Sequence, residues 1–323
     1  MECEWLDKIF DLDPDGFQGL ALDIFRYQYE RNPIYRSYCA QIGRSPDDIR
    51  EIEQIPFLPI SFFKTHRVVT GEFTPELVFQ SSGTTGMTRS THHVKEASFY
   101  ETSYTRGFES TYGPVSGKRI LGLLPSYLEQ GDSSLVYMVQ GLIRDSGHPE
   151  SGFYLNDHEG LKDTLQKGGP TILIGVTYAL LDFAGRFSFP LKETIVMETG
   201  GMKGRREELT RMEVHERLKQ AFSLEKIHSE YGMTELLSQA YSQSEGIFAC
   251  PPWMRVLLRE EEDPLTVKKN PGNGVLNIID LANLYSCSFI ATEDAGRLRQ
   301  DGTFEVLGRM DNSDIRGCSL LAL

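Results

Sequence analysis

The 323-residue chain has no surplus of positive charge: 33 Lys and Arg stand against 46 Asp and Glu, a formal net charge of −13. That balance argues against nonspecific binding to nucleic acid or to an anionic membrane surface, both of which favour basic patches. Long apolar runs are missing too. The most apolar span, Thr171 to Leu181, is short and ends at Asp182, so no transmembrane helix is expected. The five cysteines (Cys3, Cys39, Cys250, Cys287, Cys318) are an odd number without close pairs or C-x-x-C spacing, against a disulfide framework or a zinc site. The start, Met1 to Trp5, is acidic and lacks a signal peptide's basic and apolar regions. A soluble, cytoplasmic protein with reduced thiols is the expectation. No internal repeat or low-complexity tract stands out.

Hydrophobic residues at 40% and charged residues at 24% are ordinary for a globular chain. One stretch is not ordinary. Gln80-Ser81-Ser82-Gly83-Thr84-Thr85-Gly86-Met87-Thr88-Arg89 follows the extended, apolar Leu77-Val78-Phe79. Its glycines permit close backbone approach, and such a turn can point several N–H groups inward as an anion nest. The hydroxyls of Ser82, Thr84 and Thr85 add donors, and Arg89 adds a fixed cation suited to phosphate. The run differs from the usual P-loop, which ends in Gly-Lys-Ser/Thr. The run reads as a polyphosphate cradle in an ATP-using enzyme, and on composition alone a flexible surface loop stands level with that reading. With a net charge of −13, local N–H groups, Arg89 and a divalent cation must neutralise the phosphates.

The pattern along the chain predicts an α/β fold. Phe17, Leu20, Ile24 and Tyr27 recur at helical spacing before a break at Asn32-Pro33, and prolines hold Ile55 to Ile60 extended. From about residue 119, strand-like and helix-like pieces alternate: Ile120–Leu124, Ser134–Arg144, Thr171–Gly175, Thr194–Met197, Glu207–Phe222 and Lys226–His228. This implies a mainly parallel sheet flanked by helices, with ligands at loops beyond the strands' carboxyl ends. The Gly83, Gly200-Gly201 and Tyr231 loops are expected at such ends. Beyond about residue 250 the strands read as antiparallel, broken by Asn270-Pro271-Gly272 and Asp301-Gly302.

A second block, Ser229-Glu230-Tyr231-Gly232-Met233-Thr234-Glu235, completes a resemblance. The two blocks resemble the Ser/Thr/Gly phosphate loop and the Tyr-Gly-x-Thr-Glu motif of the adenylate-forming superfamily. Ala291-Thr292-Glu293-Asp294-Ala295-Gly296 is similar to its Thr-Gly-Asp block, and Gly308-Arg309-Met310-Asp311 to its Gly-Arg-x-Asp hinge. Pro56-Phe57-Leu58-Pro59-Ile60, Phe62-Phe63-Lys64 and Leu124-Pro125-Ser126-Tyr127-Leu128-Glu129 most resemble the LuxE-type acyl-protein synthetases, with the phenylacetate–CoA ligase branch as near neighbour.

The resemblance implies the adenylate-forming large-domain fold: a helical and extended segment over 1–75, an α/β core over 76–250, a smaller antiparallel β subdomain over 251–311, and a tail, 312–323, in place of a mobile lobe. It implies ATP and Mg²⁺. Ser82, Gly83, Thr84, Thr85, Gly86 and Arg89 would hold phosphates, although Arg89 stands where the family has Lys and Thr88 where it has Pro. Glu235 would hold Mg²⁺, Thr234 would reach a phosphate, and Tyr231-Gly232 would meet adenine, with Gly200 and Gly201 along its edge. Asp294 would accept from the ribose hydroxyls, with Arg309 nearby. Glu293 replaces the family's Gly. On residue type alone, Glu235 also suits a helix start, and Tyr231 a core position.

His228 reads as a satisfied buried histidine, His92 and His93 as surface residues, and Lys64 as a strand-end lysine or an acyl-carboxylate partner. No Lys follows Lys269, so the family's mobile-lobe lysine is absent, with Arg309 or Arg316 as substitutes for its charge. Acyl-protein synthetases carry an acyl-accepting Cys near the C-terminus, which implies Cys318, beside Arg316; a buried small side chain is the plain alternative. A CaaX box would need Cys at position 320, where Leu stands. The implied activity forms an acyl-adenylate from a carboxylic acid, a long-chain fatty acid by resemblance, then an S-acyl protein that supplies an acyl reductase. Two readings stay open beside it: a phenylacetate-type CoA ligase, and a non-catalytic nucleotide- or acyl-binding subunit.

Overall fold

The computed structural model describes residues 2–82, 88–124, 131–200 and 209–310. Gly83, Thr84, Thr85, Gly86, Gly201, Pro125 to Glu129 and the tail with Arg316 and Cys318 lie outside the described residues.

The chain opens with three helices, α1 (Glu2–Phe10), α2 (Phe17–Arg31) and α3 (Pro33–Gln41). The break between α2 and α3 falls at Asn32-Pro33 as expected: Pro33 starts α3, and the Asn32 side chain accepts from the Tyr35 N–H. Short strand β1 (Leu58–Pro59) and one-turn helix α4 (Phe62–Thr65) lead to β2 (Leu77–Gln80), β3 (Thr91–Val94) and α5 (Ala97–Tyr112). Alternation then begins: β4 (Arg119–Leu123), α6 (Ser134–Ser146), β5 (Gly152–Phe153), α7 (His158–Gln166), β6 (Thr171–Gly175), α8 (Thr177–Arg186), β7 (Thr194–Glu198), α9 (Arg211–Phe222) and β8 (His228–Tyr231). The remaining strands are β9 (Ala240–Ser242), β10 (Ile247–Ala249), β11 (Met254–Arg259), β12 (Val267–Lys268), β13 (Gly272–Asp280), β14 (Phe289–Leu298) and β15 (Phe304–Arg309).

Thirteen described strands join in one sheet, ordered β12-β11-β13-β14-β15-β10-β9-β8-β7-β6-β4-β5, with β1 paired to β14. The ladders among β5, β4, β6, β7 and β8 are parallel. From β8 onward they turn antiparallel, beginning with Glu230 opposite Tyr241. Every residue of β4 and of β6 is buried, which is why both read as continuous apolar runs. Their alternation sorts side chains to two faces. Leu121, Leu123 and Leu173 pack with α7, α8 and α9, while Ile120, Ile172 and Ile174 join the larger core containing α2, α5 and α6.

Three expectations need correction. β2 is not in the parallel sheet; it pairs antiparallel with β3, Leu77 opposite Val94 through Gln80 opposite Thr91, as a separate hairpin. Of its four residues only Phe79 is buried, so one covered face suffices, as an antiparallel pair allows. The strand before the Tyr231 motif begins at His228, later than Lys226, because Ser229 and Tyr231 are its buried residues. His92 is not at the surface. The alternation of β3 turns it inward, fully buried, while His93 is half-buried. Among the described residues no helix is long and apolar enough to cross a membrane.

Two buried amides, Gln28 and Asn32, tie the amino-terminal helices to the segment before β14; Asn32 Nδ2 donates to the Ser286 carbonyl at 3.0 Å. Gln28 donates through Nε2 to the Asn283 and Leu284 carbonyls, at 3.1 and 2.8 Å, and accepts from the Ser288 N–H at 3.0 Å. Gln28→Leu keeps the volume and strands these groups. The expected cost is about 2–3 kcal/mol, read as a lower urea midpoint at unchanged m-value; an unaltered midpoint would show that water replaces the amide there.

Candidate active site

The foot of the hydroxyl-rich loop is tied shut. Ser81 N donates to the Ser90 carbonyl at 3.0 Å, and Ser90 N donates to Ser81 Oγ at 2.9 Å. Arg89 strengthens the same closure: its Nε donates to the Ser81 carbonyl, and Nη2 lies 2.8 Å from the Asp132 carboxylate. The described contacts of this cation are therefore with protein. Ser82 is exposed beside the loop.

Glu235 is buried, and the Ser90 hydroxyl donates to its carboxylate. Burial raises its pKa, opposed by that hydrogen bond and by the charges of Arg309 and Lys64. The Tyr-Gly-x-Thr-Glu block thus meets the base of the Ser/Thr/Gly loop through one contact. Lys64 sits on the single turn of α4 rather than at a strand end.

A second cluster joins the other blocks. The Tyr231 hydroxyl donates to Asp294 Oδ2 at 2.8 Å, and Arg309 Nε stands 3.7 Å from Asp294 Oδ1. Register explains the pairing, because β14 and β15 set Asp294 opposite Arg309. Gly296 on β14 is needed for this approach of strands: a Cβ there would lie 2.6 Å from the Glu305 carbonyl oxygen. Burial raises the Asp294 carboxyl, offset by Tyr231 and Arg309, with Glu293 adding to the rise. The Tyr231 ring is 9% exposed and packs beside Phe248 and Phe304 at centroid distances of 5.8 and 5.4 Å.

Gly200 sits at the end of β7, next to β8, with φ of 74° in the left-handed region that favours glycine. Its N–H donates to Glu198 Oε2 at 2.8 Å, and its carbonyl accepts from Thr177 N. Burial works to raise Glu198, but the His215 hydrogen bond, the Arg211 charge, the Ser229 hydroxyl and the Gly200 N–H overcome it and hold the carboxyl down to about 2. Glu198 is therefore an ionised clamp on the Gly200 turn.

Sequence reasoning missed the supports under Glu235. Asp280 Oδ2 accepts from the N–H groups of Leu237 and Ser238 at 2.8 and 3.0 Å, and Oδ1 accepts from Ser238 Oγ at 2.5 Å. The Asn283 side chain donates to the Glu235 carbonyl at 2.7 Å. The ring nitrogens of His92 lie 2.8 Å from the Thr234 carbonyl oxygen and 3.0 Å from Asn283 Oδ1. His228 is half-buried, with Nδ1 3.3 Å from the Tyr112 hydroxyl.

Comparisons with known proteins bear on the family and the fold. A family model described as acyl-protein synthetase, LuxE, matches residues 11–108, which include the Pro56 segment and the Ser/Thr/Gly loop. The long-chain-fatty-acid–luciferin-component ligase of Photorhabdus luminescens is 45% identical over 69 residues, which span 21% of this chain and 59% of that relative. An open conformation of a 2-hydroxyisobutyryl-CoA ligase aligns with TM-score 0.68 at 12% identity, over 91% of this chain and 74% of that one. The fold is that of the adenylate-forming ligases. ATP-bound MatB from Rhodopseudomonas palustris aligns with TM-score 0.51 at 17% identity, over 74% of this chain and 49% of its own.

The arrangement also fits a nucleotide and its metal. The Glu235 carboxylate takes the Ser90 hydroxyl and its own backbone N–H and keeps further acceptor capacity, and one or two carboxylates are what a phosphate-bound Mg²⁺ ordinarily takes from protein. Among the described residues no group of three or more His, Cys, Asp or Glu forms a metal cage. Asp294 Oδ1 keeps acceptor capacity beyond its 3.7 Å approach to Arg309.

Glu230, next to Tyr231, gives the chain a distinctive pH response. The residue is half-buried, and burial pushes its carboxyl up to about 8, with the Glu198 charge adding. Burial lowers His92 and His228 to about 4 and His93 as well, so these three oppose the trend until their unfolded imidazoles lose the proton, at about pH 7.5. From there to about pH 8 the folded chain keeps a proton on Glu230 that the unfolded chain has released, so stability falls as pH rises. Urea midpoints are expected to decline over this window in the parent and to stay flat in Glu230→Gln. Equal slopes in the two chains would contradict the burial of that carboxyl.

Proposed function

We propose that the chain activates a carboxylic acid with ATP and passes the acyl group to a cysteine thiol. The observation that carries the reading is the meeting of Glu235 with Ser90 at the foot of the Ser/Thr/Gly loop, beside the charges of Arg309 and Lys64. A triphosphate laid along that loop brings its phosphates to Glu235, while Tyr231 and Asp294, joined at 2.8 Å, stand ready for the nucleoside. Gly83, Thr84, Thr85 and Gly86 would supply loop N–H groups and hydroxyls and Thr234 a phosphate contact; Gly200 has open space beside its backbone for the base, with Gly201 and Gly232 assigned to the same edge.

In the reaction, a carboxylate oxygen attacks the α-phosphorus, the bond to the bridging oxygen breaks, and pyrophosphate leaves with that electron pair. The protein's share is positioning and charge neutralisation. Mg²⁺, held by Glu235 and the phosphates, supplies cationic charge when bound. Lys64 and Arg309 bring fixed cations near Glu235, and the clasp of Arg89 on Ser81 and Asp132 holds the loop's two ends together.

Acyl transfer follows by attack of a thiolate on the mixed anhydride, releasing AMP. Cys39, Cys250 and Cys287 are poor candidates: burial pushes Cys39 and Cys250 up to about 12 and raises Cys287 as well. Cys318, beside Arg316, is our choice of acceptor, and an acyl reductase is the consumer of the thioester. The Photorhabdus relative is named for a long-chain fatty acid, which makes that class the first to supply.

The test is acid-dependent exchange of labelled pyrophosphate into ATP. Glu235→Gln is expected to cut exchange by about 100- to 1000-fold while retaining the circular dichroism of the parent. With radiolabelled acid, label should stay on the denatured protein and vanish in Cys318→Ser. Label appearing only in added CoA would replace the protein acceptor with a CoA-ligase activity, and no exchange with any acid would sink the adenylation reading.

A further inference from the structure

The first residue of α9 does more than start a helix. Arg211 donates through Nη1 to the Val306 carbonyl on β15 at 3.1 Å, and its Nε stands 3.5 Å from Glu198 Oε1 at the end of β7. Strands β8, β9 and β10 lie between β7 and β15 in the sheet, yet this one side chain reaches both. Its guanidinium carbon is 5.2 Å from the centre of the Phe248 ring, and Phe248 packs in turn against Tyr231 and Phe304. Gly246 permits the approach, because a Cβ there would lie 2.9 Å from Arg211 Cδ.

Each end of this brace leads to a block assigned above to the nucleotide. At one end Glu198 fixes the Gly200 turn by taking its N–H at 2.8 Å. Register sets Glu198 opposite Ser229, which brings that turn to the same end of the sheet as Tyr231. The space beside Gly200 is open, with nothing within 4 Å of where a Cβ would stand. At the other end Val306 comes three residues before Arg309, which register sets opposite Asp294, the acceptor of the Tyr231 hydroxyl. A guanidinium suits the task, since its planar fork presents several donors at fixed angles, as a lysine ammonium does not. The contact is also electrically firm: Glu198 is 5% exposed, and a carboxylate ionised in such a place is held by the charge and donors around it.

We infer that Arg211 is a positioning residue for ATP: it sets the distance between the Gly200 turn and the Tyr231–Asp294–Arg309 cluster, and so the width of the slot that receives the nucleoside. The inference rests on the nucleotide reading above and extends it to a residue that acts through Glu198 and Val306 rather than by touching the ligand. The surroundings of Arg211 make the idea testable. The side chain is 32% exposed and lines a cleft of about 730 Å³ whose walls include Met212 and Lys219 of α9 and Leu307 of β15. Shortening it therefore widens a wet cleft and opens no dry cavity in the core.

The experiment measures acid-dependent pyrophosphate exchange at varied ATP, pyrophosphate and acid in the parent, Arg211→Met, Arg211→Lys and Glu198→Gln. Arg211→Met is expected to raise the KM for ATP about tenfold or more, with kcat and the KM values for pyrophosphate and acid within about twofold of the parent. Adenosine, which carries no phosphate, should lose potency as a competitor by a similar factor. Arg211→Lys should fall between, because it keeps a charge beside Glu198 and loses the fork. Glu198→Gln keeps an acceptor for the Gly200 N–H and drops the charge that holds Arg211, so it should shift the same constant, and it stands in should Arg211→Met fail to fold. A KM for ATP that stays at the parent value, or that rises together with those for pyrophosphate and acid, overturns this inference alone and leaves Arg211 as a dock for α9. Absence of exchange by the parent with every acid overturns the adenylation reading and this inference with it.

Discussion

The site depends on how the segment from Thr234 to Ser238 is held. Glu235 can present one carboxylate to the Ser/Thr/Gly loop only because the backbone on both sides of it is fixed from beneath. Asp280 takes two N–H groups and a hydroxyl from Leu237 and Ser238, Asn283 takes the Glu235 carbonyl, and His92 takes that of Thr234. Hydrogen bonds to a charged group contribute about 1.5–3 kcal/mol each, so the Asp280 set outweighs the cost of closing one turn. Burial nevertheless pushes Asp280 up to about 6, which marks how little solvent reaches the anchor. The Trp253 indole N–H, 3.0 Å from Ser238 Oγ and 3.1 Å from Ser103 Oγ, ties the same anchor to α5.

This support comes from far along the chain, and that distance decides what the sequence could reveal. The blocks carrying Tyr231, Glu235, Asp294 and Arg309 were legible because each concentrates unusual residues in a short string. The helices of the first fifty residues and the buried strands β4 and β6 were legible because their periodicity is local. Asp280, Asn283 and His92 were not. Each is an ordinary polar residue in an apolar context, and its meaning lies in a partner that only the fold supplies. His92 could be found from sequence only through the strand alternation of β3, which is four residues long.

The hairpin of β2 and β3 was misplaced for a related reason. A short apolar strand followed by a glycine-rich loop has the same local pattern whether it enters a parallel sheet or folds back on itself. What separates the cases is the partner strand, here Thr91 to Val94, and its two histidines and threonine disguise it in composition. The outcome matters for function. A loop at a hairpin tip is closed at its base by its own strand neighbours, and the Ser81–Ser90 pairing with the Arg89 clasp is that closure.

Carboxylates in this molecule divide by how they are compensated, and the division tracks their work. Glu198, met by His215, Arg211, Ser229 and the Gly200 N–H, is held down to about 2 and serves as a fixed clamp. Asp294 and Glu235 are raised by burial and only partly offset, Asp294 by the Tyr231 hydroxyl and Glu235 by the Ser90 hydroxyl and its own backbone N–H, with nearby cations, which leaves each able to accept a further ligand. Glu230 has no hydrogen-bond donor among the described residues, and burial pushes it up to about 8. Asp280 received four: three through its hydrogen bonds with Leu237 and Ser238, and one from the Ala282 backbone. Donors, and not burial alone, therefore decide which of these carboxyls is ionised at neutral pH.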